Sequence, residues 1–234
     1  MNDTNIISKE EAFQHELPKW TKIVIIGDSV SVETAKEIIF RTDEFLVDAY
    51  GSMGGNNKEF TQDYLEESGL SSLYKDGKVD YLASEAVKQE LGFIPLAHFH
   101  NYWASCNFVA GPNGFCTPEG KICFAGHMDK HPTVEELCND LEPLAQAFPE
   151  LKMNVEIYSK EDGIEFLMGF IVKDGEVTIT KENMELINKV DPILFNTAEI
   201  HRKNLNVDYS EFGLPVEWYE EFASRVKDAV EKHK

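Results

Sequence analysis

Basic residues are scarce in this chain: 22 Lys+Arg stand against 42 Asp+Glu, a formal net charge of −20. Phosphate binding rests on Lys and Arg, so nonspecific association with DNA, RNA or anionic lipid is not expected. Long apolar runs are missing too. None approaches the roughly 18 residues of a membrane span, and residues 1–20 are too polar and acidic for a signal peptide. These features predict a cytoplasmic protein with no membrane partner. Cysteine is sparse, with Cys106, Cys116, Cys123 and Cys138 the full set. In a reducing compartment they are expected to be free thiols. The chain lacks a Cys-x-x-Cys pair, a Walker-type phosphate loop, a dinucleotide fingerprint and zinc-finger spacing, so no cofactor is expected from these motifs. It also lacks internal repeats and low-complexity tracts.

What is present suffices for a substantial core. The 234 residues suggest one large or two small domains, and 42% hydrophobic with 11% aromatic content argues against disorder. The acidity is dispersed: residues 1–133 carry a net −9 and residues 134–234 a net −11. Such dispersion serves solubility or forms a negative binding face. The exception is 91–118, a stretch of 28 residues without Asp, Glu, Lys or Arg. It should be the best-buried part of the chain, or line a pocket.

Along the chain, residues 1–20 read as a loosely structured arm that Trp20 anchors. Lys22 to Gly27 is a short β-branched run closed by glycine, a buried strand. Ser29 or Ser31 can cap the helix after it, whose apolar face is Ala35, Ile38, Ile39, Thr42 and Phe45 or Leu46. Residues 51–57 form a Gly/Asn-rich loop, and Phe60, Tyr64 and Leu65 mark a short helix. Asp80 can cap another helix that Gly92 ends. Strands are expected over 102–110 and 121–128. Thr133 and Glu136 form a capping-box pattern before a helix with Leu137, Leu141, Leu144 and Phe148 on one face. Pro143 should kink or divide that helix. Further strands carry Met153, Val155 and Ile157, then Ile164 to Val172. Asp174-Gly175 turns into Val177 and Ile179. A final amphipathic helix carries Val216, Tyr219, Phe222 or Ala223, and Val226. The order predicts an α+β fold, an antiparallel sheet with helices on one face. The expected division is an arm at 1–20, a small αβ region at 21–95, and a ferredoxin-like α+β domain at 96–234.

Three constellations could carry chemistry. Gly27-Asp28-Ser29 after a hydrophobic strand resembles the nucleophile block of SGNH hydrolases, and Gly54-Gly-Asn-Asn57 resembles their oxyanion block. That resemblance implies an ester hydrolase with Ser29 as nucleophile, Asn56 as oxyanion donor and a histidine base from the second half. The two blocks are close together, however, and no Asp-x-x-His block follows: Ala198 stands where Asp would precede His201. The structural reading is that Asp28 and the serines shape a strand-to-helix turn. The second constellation is a zinc site. His98 and His100 would share one face of a strand, with His127, His131 and the cysteines nearby. The spacings do not support it, and Pro132 disfavours a helical pairing of His127 with His131. Buried thiols and hydrogen-bonded histidines are the simpler account. The third is the cluster of Tyr102, Trp103, Phe108, Phe115 and Phe124, a base-stacking platform in composition. It lacks the cations such a platform needs, so core packing explains it better.

Two portions resemble known groups. Ile25-Ile-Gly-Asp28 through Thr34-Ala-Lys-Glu-Ile38, Arg41-Thr-Asp43, Gly54-Gly-Asn-Asn57, Gly111-Pro-Asn-Gly-Phe-Cys116, Pro132-Thr-Val-Glu-Glu136 and Ala147-Phe-Pro149 resemble a family of uncharacterised phage and mobile-element proteins. Residues 121–169 look like the ferredoxin-like domain of YubB-type plasmid proteins. The matching pieces are the strand at Ile122, the Pro132 turn, the helix from Val134, Phe148-Pro-Glu-Leu151, the strand at Met153, the acidic turn Glu161-Asp162 and Phe166-Leu-Met-Gly169. The resemblance implies an α+β sandwich and supplies no catalytic residue. With the dispersed acidity, it predicts a non-enzymatic accessory protein that engages a basic protein partner. An exposed sheet edge would also permit a homodimer.

Overall fold

The computed structural model describes residues 5–18, 21–42, 74–75, 78–79, 81–94, 96, 115–128, 133–159, 164–189 and 215–233. Its centre is a six-stranded antiparallel sheet. The strands are β1 (Ile6–Ile7), β2 (Thr21–Gly27), β5 (Cys123–Met128), β6 (Met153–Ser159), β7 (Glu165–Lys173) and β8 (Glu176–Thr180), in the order β1-β8-β7-β6-β2-β5. A separate short hairpin joins β3 (Tyr74–Lys75) and β4 (Lys78–Val79). The described helices are α1 (Lys9–Ala12), α2 (Val32–Thr42), α3 (Tyr81–Glu90), α4 (Val134–Ala147) and α5 (Val216–Lys232), with a 3₁₀ turn at Leu186–Asn188.

β2 is antiparallel to both β5 and β6, so those two strands run parallel to each other with β2 between them. α4 makes the connection from β5 to β6. β6, β7 and β8 then follow as a meander. Asp174 and Gly175 make its last turn with φ of 53° and 80°. Two positive φ values give the tight turn whose twist matches its flanking strands, and Asp-Gly is a pair that tolerates them.

Strand alternation sorts the sheet into two faces. On one, Ile23 and Ile25 of β2, Val155 and Ile157 of β6, and Phe170 and Val172 of β7 meet Ala35 and Ile38 of α2 and Leu137, Leu141 and Leu144 of α4. All of these side chains are buried. Each such aliphatic or aromatic side chain contributes roughly 1.5–3 kcal/mol on burial, so this face dominates stability. The opposite face packs Val24, Ala125 and Tyr158 against Leu186, with Ile26, Phe166, Met184 and Ile187 partly buried around them. α5 lies on the outer side of α2. Phe222 stacks on Phe40 at 4.6 Å, Arg225 sits 3.9 Å over the Phe40 ring, and its guanidinium grips Glu37 through two bonds of 2.6 and 3.1 Å.

Several expectations change against this architecture. The segment expected to be a loose arm adds β1 to the sheet edge, where Ile6 and Ile7 pair with Thr180 and Ile179. Ala12 and Leu17 are buried, and Lys9 and Lys181 pair with Glu142 and Glu11. β2, from the region expected at 21–95, sits inside the sheet formed with strands from 96–234, so one sheet spans that expected boundary. Pro143 does not divide its helix: α4 is continuous from Val134 to Ala147. Pro143 is exposed, so water can satisfy the carbonyl that its missing N–H leaves unpaired. Ile164 precedes its strand and is exposed. In α5 the buried side chains include Trp218 and Ala229 beside the expected Phe222. The readings at 51–57, at Phe60 to Leu65, at Asp80, and over 102–110 lie outside the described residues. Of the uncharged stretch, Ile94, Leu96, Phe115 and Cys116 are described and buried.

Candidate functional site

The turn from β2 into α2 carries the hydrolase-like residues. Three backbone bonds hold it. Gly27 N–H donates to Ile122 O (3.0 Å), Asp28 N–H to Lys152 O (2.9 Å) and Val30 N–H to Gly120 O (2.8 Å). Ser31 takes the capping role: its Oγ accepts the Thr34 N–H at 3.0 Å, and Thr34 Oγ1 donates to Glu150 at 3.1 Å. Ser29 is exposed on the turn. Asn56 lies outside the described residues, so the proposed oxyanion partner does too. His127 is placed by its backbone: it pairs with Lys22, at the far end of β2 from Gly27. Five residues of strand separate those levels, about 17 Å. That is several times the reach a general base needs, so His127 does not serve Ser29.

The candidate zinc ligands His98, His100 and His131 lie outside the described residues. Among the described residues, no group of three or more His, Cys, Asp or Glu is placed to hold a metal ion. The described cysteines are free thiols. Burial pushes the Cys116 and Cys138 thiols up to about 12 and raises Cys123 as well. A thiol raised in this way stays protonated and is a poor nucleophile and a poor ligand.

The topology instead gathers carboxylates at one end of the sheet. β2 ends there, β5, β6 and β8 begin there, and β7 ends there. α2 starts and α4 finishes at the same end. Asp28, Glu33, Glu119, Glu150, Asp174 and Glu176 are all exposed on the connecting turns and helix ends. Among the described residues, the exposed bases there are Lys121, Lys152 and Lys173, an excess of three exposed negative charges, and Glu33 lies 3.9 Å from the less exposed Lys36. Lys173 lies 3.5 Å from its neighbour Asp174.

A second polar centre lies on the opposite face from α2 and α4, and the sequence reading missed it. The carboxylate of Glu156 is fully buried. It accepts hydrogen bonds from the Tyr158 hydroxyl and from the N–H groups of Met184 and Leu186. The Tyr158 oxygen in turn accepts the Ile187 N–H at 3.3 Å. Burial raises the Tyr158 hydroxyl well above the usual phenol range, and its bond to Glu156 raises it further. Glu156 reads in sequence as the outward partner of Val155 and Ile157. Its burial depends on a segment about 30 residues downstream.

No family model, curated protein or solved structure matches this chain. Among the described residues, no helix is long and apolar enough to cross a membrane.

Proposed function

We propose that this protein is a non-enzymatic, acidic accessory protein of phage or mobile-element type that engages a basic protein partner. The observation that carries the reading is the set, among the described residues, of six exposed carboxylates against three exposed lysines at one end of the sheet. They sit on turns that the β-ladders and the two helix ends fix in place. Fixed charges of one sign steer an oppositely charged partner and select its orientation. The overall charge of −20 adds a field of the same sign. The resemblance of the motifs between Ile25 and Pro149 to mobile-element proteins supports the accessory role. A ferredoxin-like arrangement that takes in β2 from outside 96–234 is supported by β5, α4 and β6 bracketing that strand, the split β-α-β unit. Catalysis by Ser29 has less support, because that residue sits on a surface turn and His127 is a strand's length away.

The test is affinity capture from cell lysate on the immobilised full chain at low and at high salt. A specific basic protein retained at low salt and released at high salt is the expected result. The absence of any salt-sensitive partner would count against the proposal.

A further inference from the structure

Segment 181–189 leaves β8 and crosses the face of the sheet opposite α2 and α4. Its route is marked by its contacts. Lys181 N–H donates to Asn5 O at 2.9 Å, beside β1. Glu182 O passes over β7, 3.7 Å from where a Cβ on Gly169 would lie. Met184 and Leu186 bond Glu156 of β6, and Leu186 packs with Val24 of β2 and Ala125 of β5. At its start Glu182 N–H donates to Thr180 Oγ1 at 2.9 Å and Lys181 Nζ to Glu11 at 2.6 Å; further on, the segment bonds to itself through Asn188 N–H to Glu185 O, Lys189 N–H to Leu186 O, Glu185 N–H to Asn183 Oδ1 and Lys189 Nζ to Met184 O. Glu185 is held at φ 55°, a left-handed conformation that a non-glycine residue adopts at a cost.

We infer that Glu156 is a latch: its carboxylate holds segment 181–189 over the apolar second face as a strap that opens as a unit, separately from the sheet. One carboxylate collects two backbone donors from the strap, and its third donor, Tyr158, anchors Ile187. Hydrogen bonds to a charged acceptor are stronger than neutral ones, and an N–H left without its acceptor in a buried place is costly. Losing this acceptor therefore releases two strap amides together, removes the group that orients the Tyr158 hydroxyl beneath the third, and frees the strained turn at Glu185. The β-ladders of β2, β6 and β7 do not depend on it. An open strap would uncover Val24, Ile26, Tyr158 and Phe166, a sheet face with a buried acid at its centre.

Native-state hydrogen exchange on the full chain, in rising sub-denaturing urea, tests this. The amides of Met184, Leu186 and Ile187 are expected to exchange through an opening that urea barely accelerates, while those of Val24 and Val155 follow global unfolding. Glu156→Gln places an NH₂ group against N–H donors. It should speed strap exchange by about tenfold or more and leave the sheet amides within about twofold. Tyr158→Phe should give a smaller acceleration centred on Ile187. The inference is overturned if strap and sheet amides share one urea dependence in the wild-type chain. It is also overturned if Glu156→Gln leaves strap exchange unchanged or speeds strap and sheet equally. Should Glu156→Gln fail to fold, the wild-type urea series and Tyr158→Phe decide.

Discussion

Gly27→Ala separates the structural role of the Gly27-Asp28-Ser29 turn from a catalytic one. A Cβ at position 27 would stand 2.6 Å from Lys152 O, 2.8 Å from Ile122 Cγ2 and 2.8 Å from Met153 Cβ. Ordinary contact needs nearly an ångström more in the first case, and the obstructing atom is backbone. The two strands cannot retreat without stretching Gly27 N–H to Ile122 O and Asp28 N–H to Lys152 O, now 3.0 and 2.9 Å. Overpacking costs about 1–3 kcal/mol, and each weakened backbone bond adds up to about 1 kcal/mol. The smaller unfolded-state entropy of alanine returns about 0.4–1 kcal/mol. The net expectation is a loss of about 2–3 kcal/mol. Ser29→Ala at the exposed neighbour should stay within about 0.5 kcal/mol. Urea denaturation at constant slope measures both. A Gly27→Ala chain as stable as wild type would refute the close approach of β2 to residues 122 and 152–153. A marked loss on Ser29→Ala would refute its placement on the surface.

Other substitutions probe the helices and the thiols. Thr133→Ala removes the Oγ1 that accepts the Glu136 N–H at 3.1 Å, while the backbone N–H of residue 133 keeps its 2.7 Å bond to the Glu136 side chain; it should cost about 1 kcal/mol in urea midpoint analysis. Phe222→Ala empties the stack on Phe40 and should cost about 3 kcal/mol or more, with a lowered Tm. A change under about 1 kcal/mol there would mean that α5 does not bury Phe222 against α2. For Cys116 and Cys138 the raised thiol pKa of about 12 sets the sign. Below that value the thiolate is the minor form. At pH 8 both should resist iodoacetamide in the folded chain and react once urea unfolds it, as peptide mapping would record; rapid native labelling of either would contradict their burial.

How much could be read from the chain depends on whether the interaction is local. β2, the capping box at Thr133, the helical face from Leu137 to Phe148 and the Asp174-Gly175 turn were legible, because each is set by residues within a few positions. The position of β2 was not: its insertion between β5 and β6 pairs residues about 100 to 135 positions apart, and no spacing rule encodes that choice. β1 escaped for the same reason, since two isoleucines suffice only when β8 supplies the ladder. The preference for Ser31 over Ser29 as cap depended on where α2 begins, a difference of two residues. Glu156 shows the limit most plainly. By alternation it belongs on the polar side of a strand, and only the returning strap makes that side an interior. The acidity was legible only as a charge dispersed along the chain, and the grouping of Asp28, Glu119, Glu150 and Glu176 at one end of the sheet needed the topology.

The proposed binding of a basic protein rests on the fixed carboxylates at one end of the sheet. Its most direct test is capture with a variant carrying Glu33→Gln, Glu119→Gln, Glu150→Gln and Glu176→Gln, compared with wild type at two salt concentrations. All four side chains are exposed, so stability should change little. The account predicts that the partner retained by the wild-type chain is lost by this variant at low salt, and by both chains at high salt. Equal retention of that partner by the two chains at low salt would contradict it.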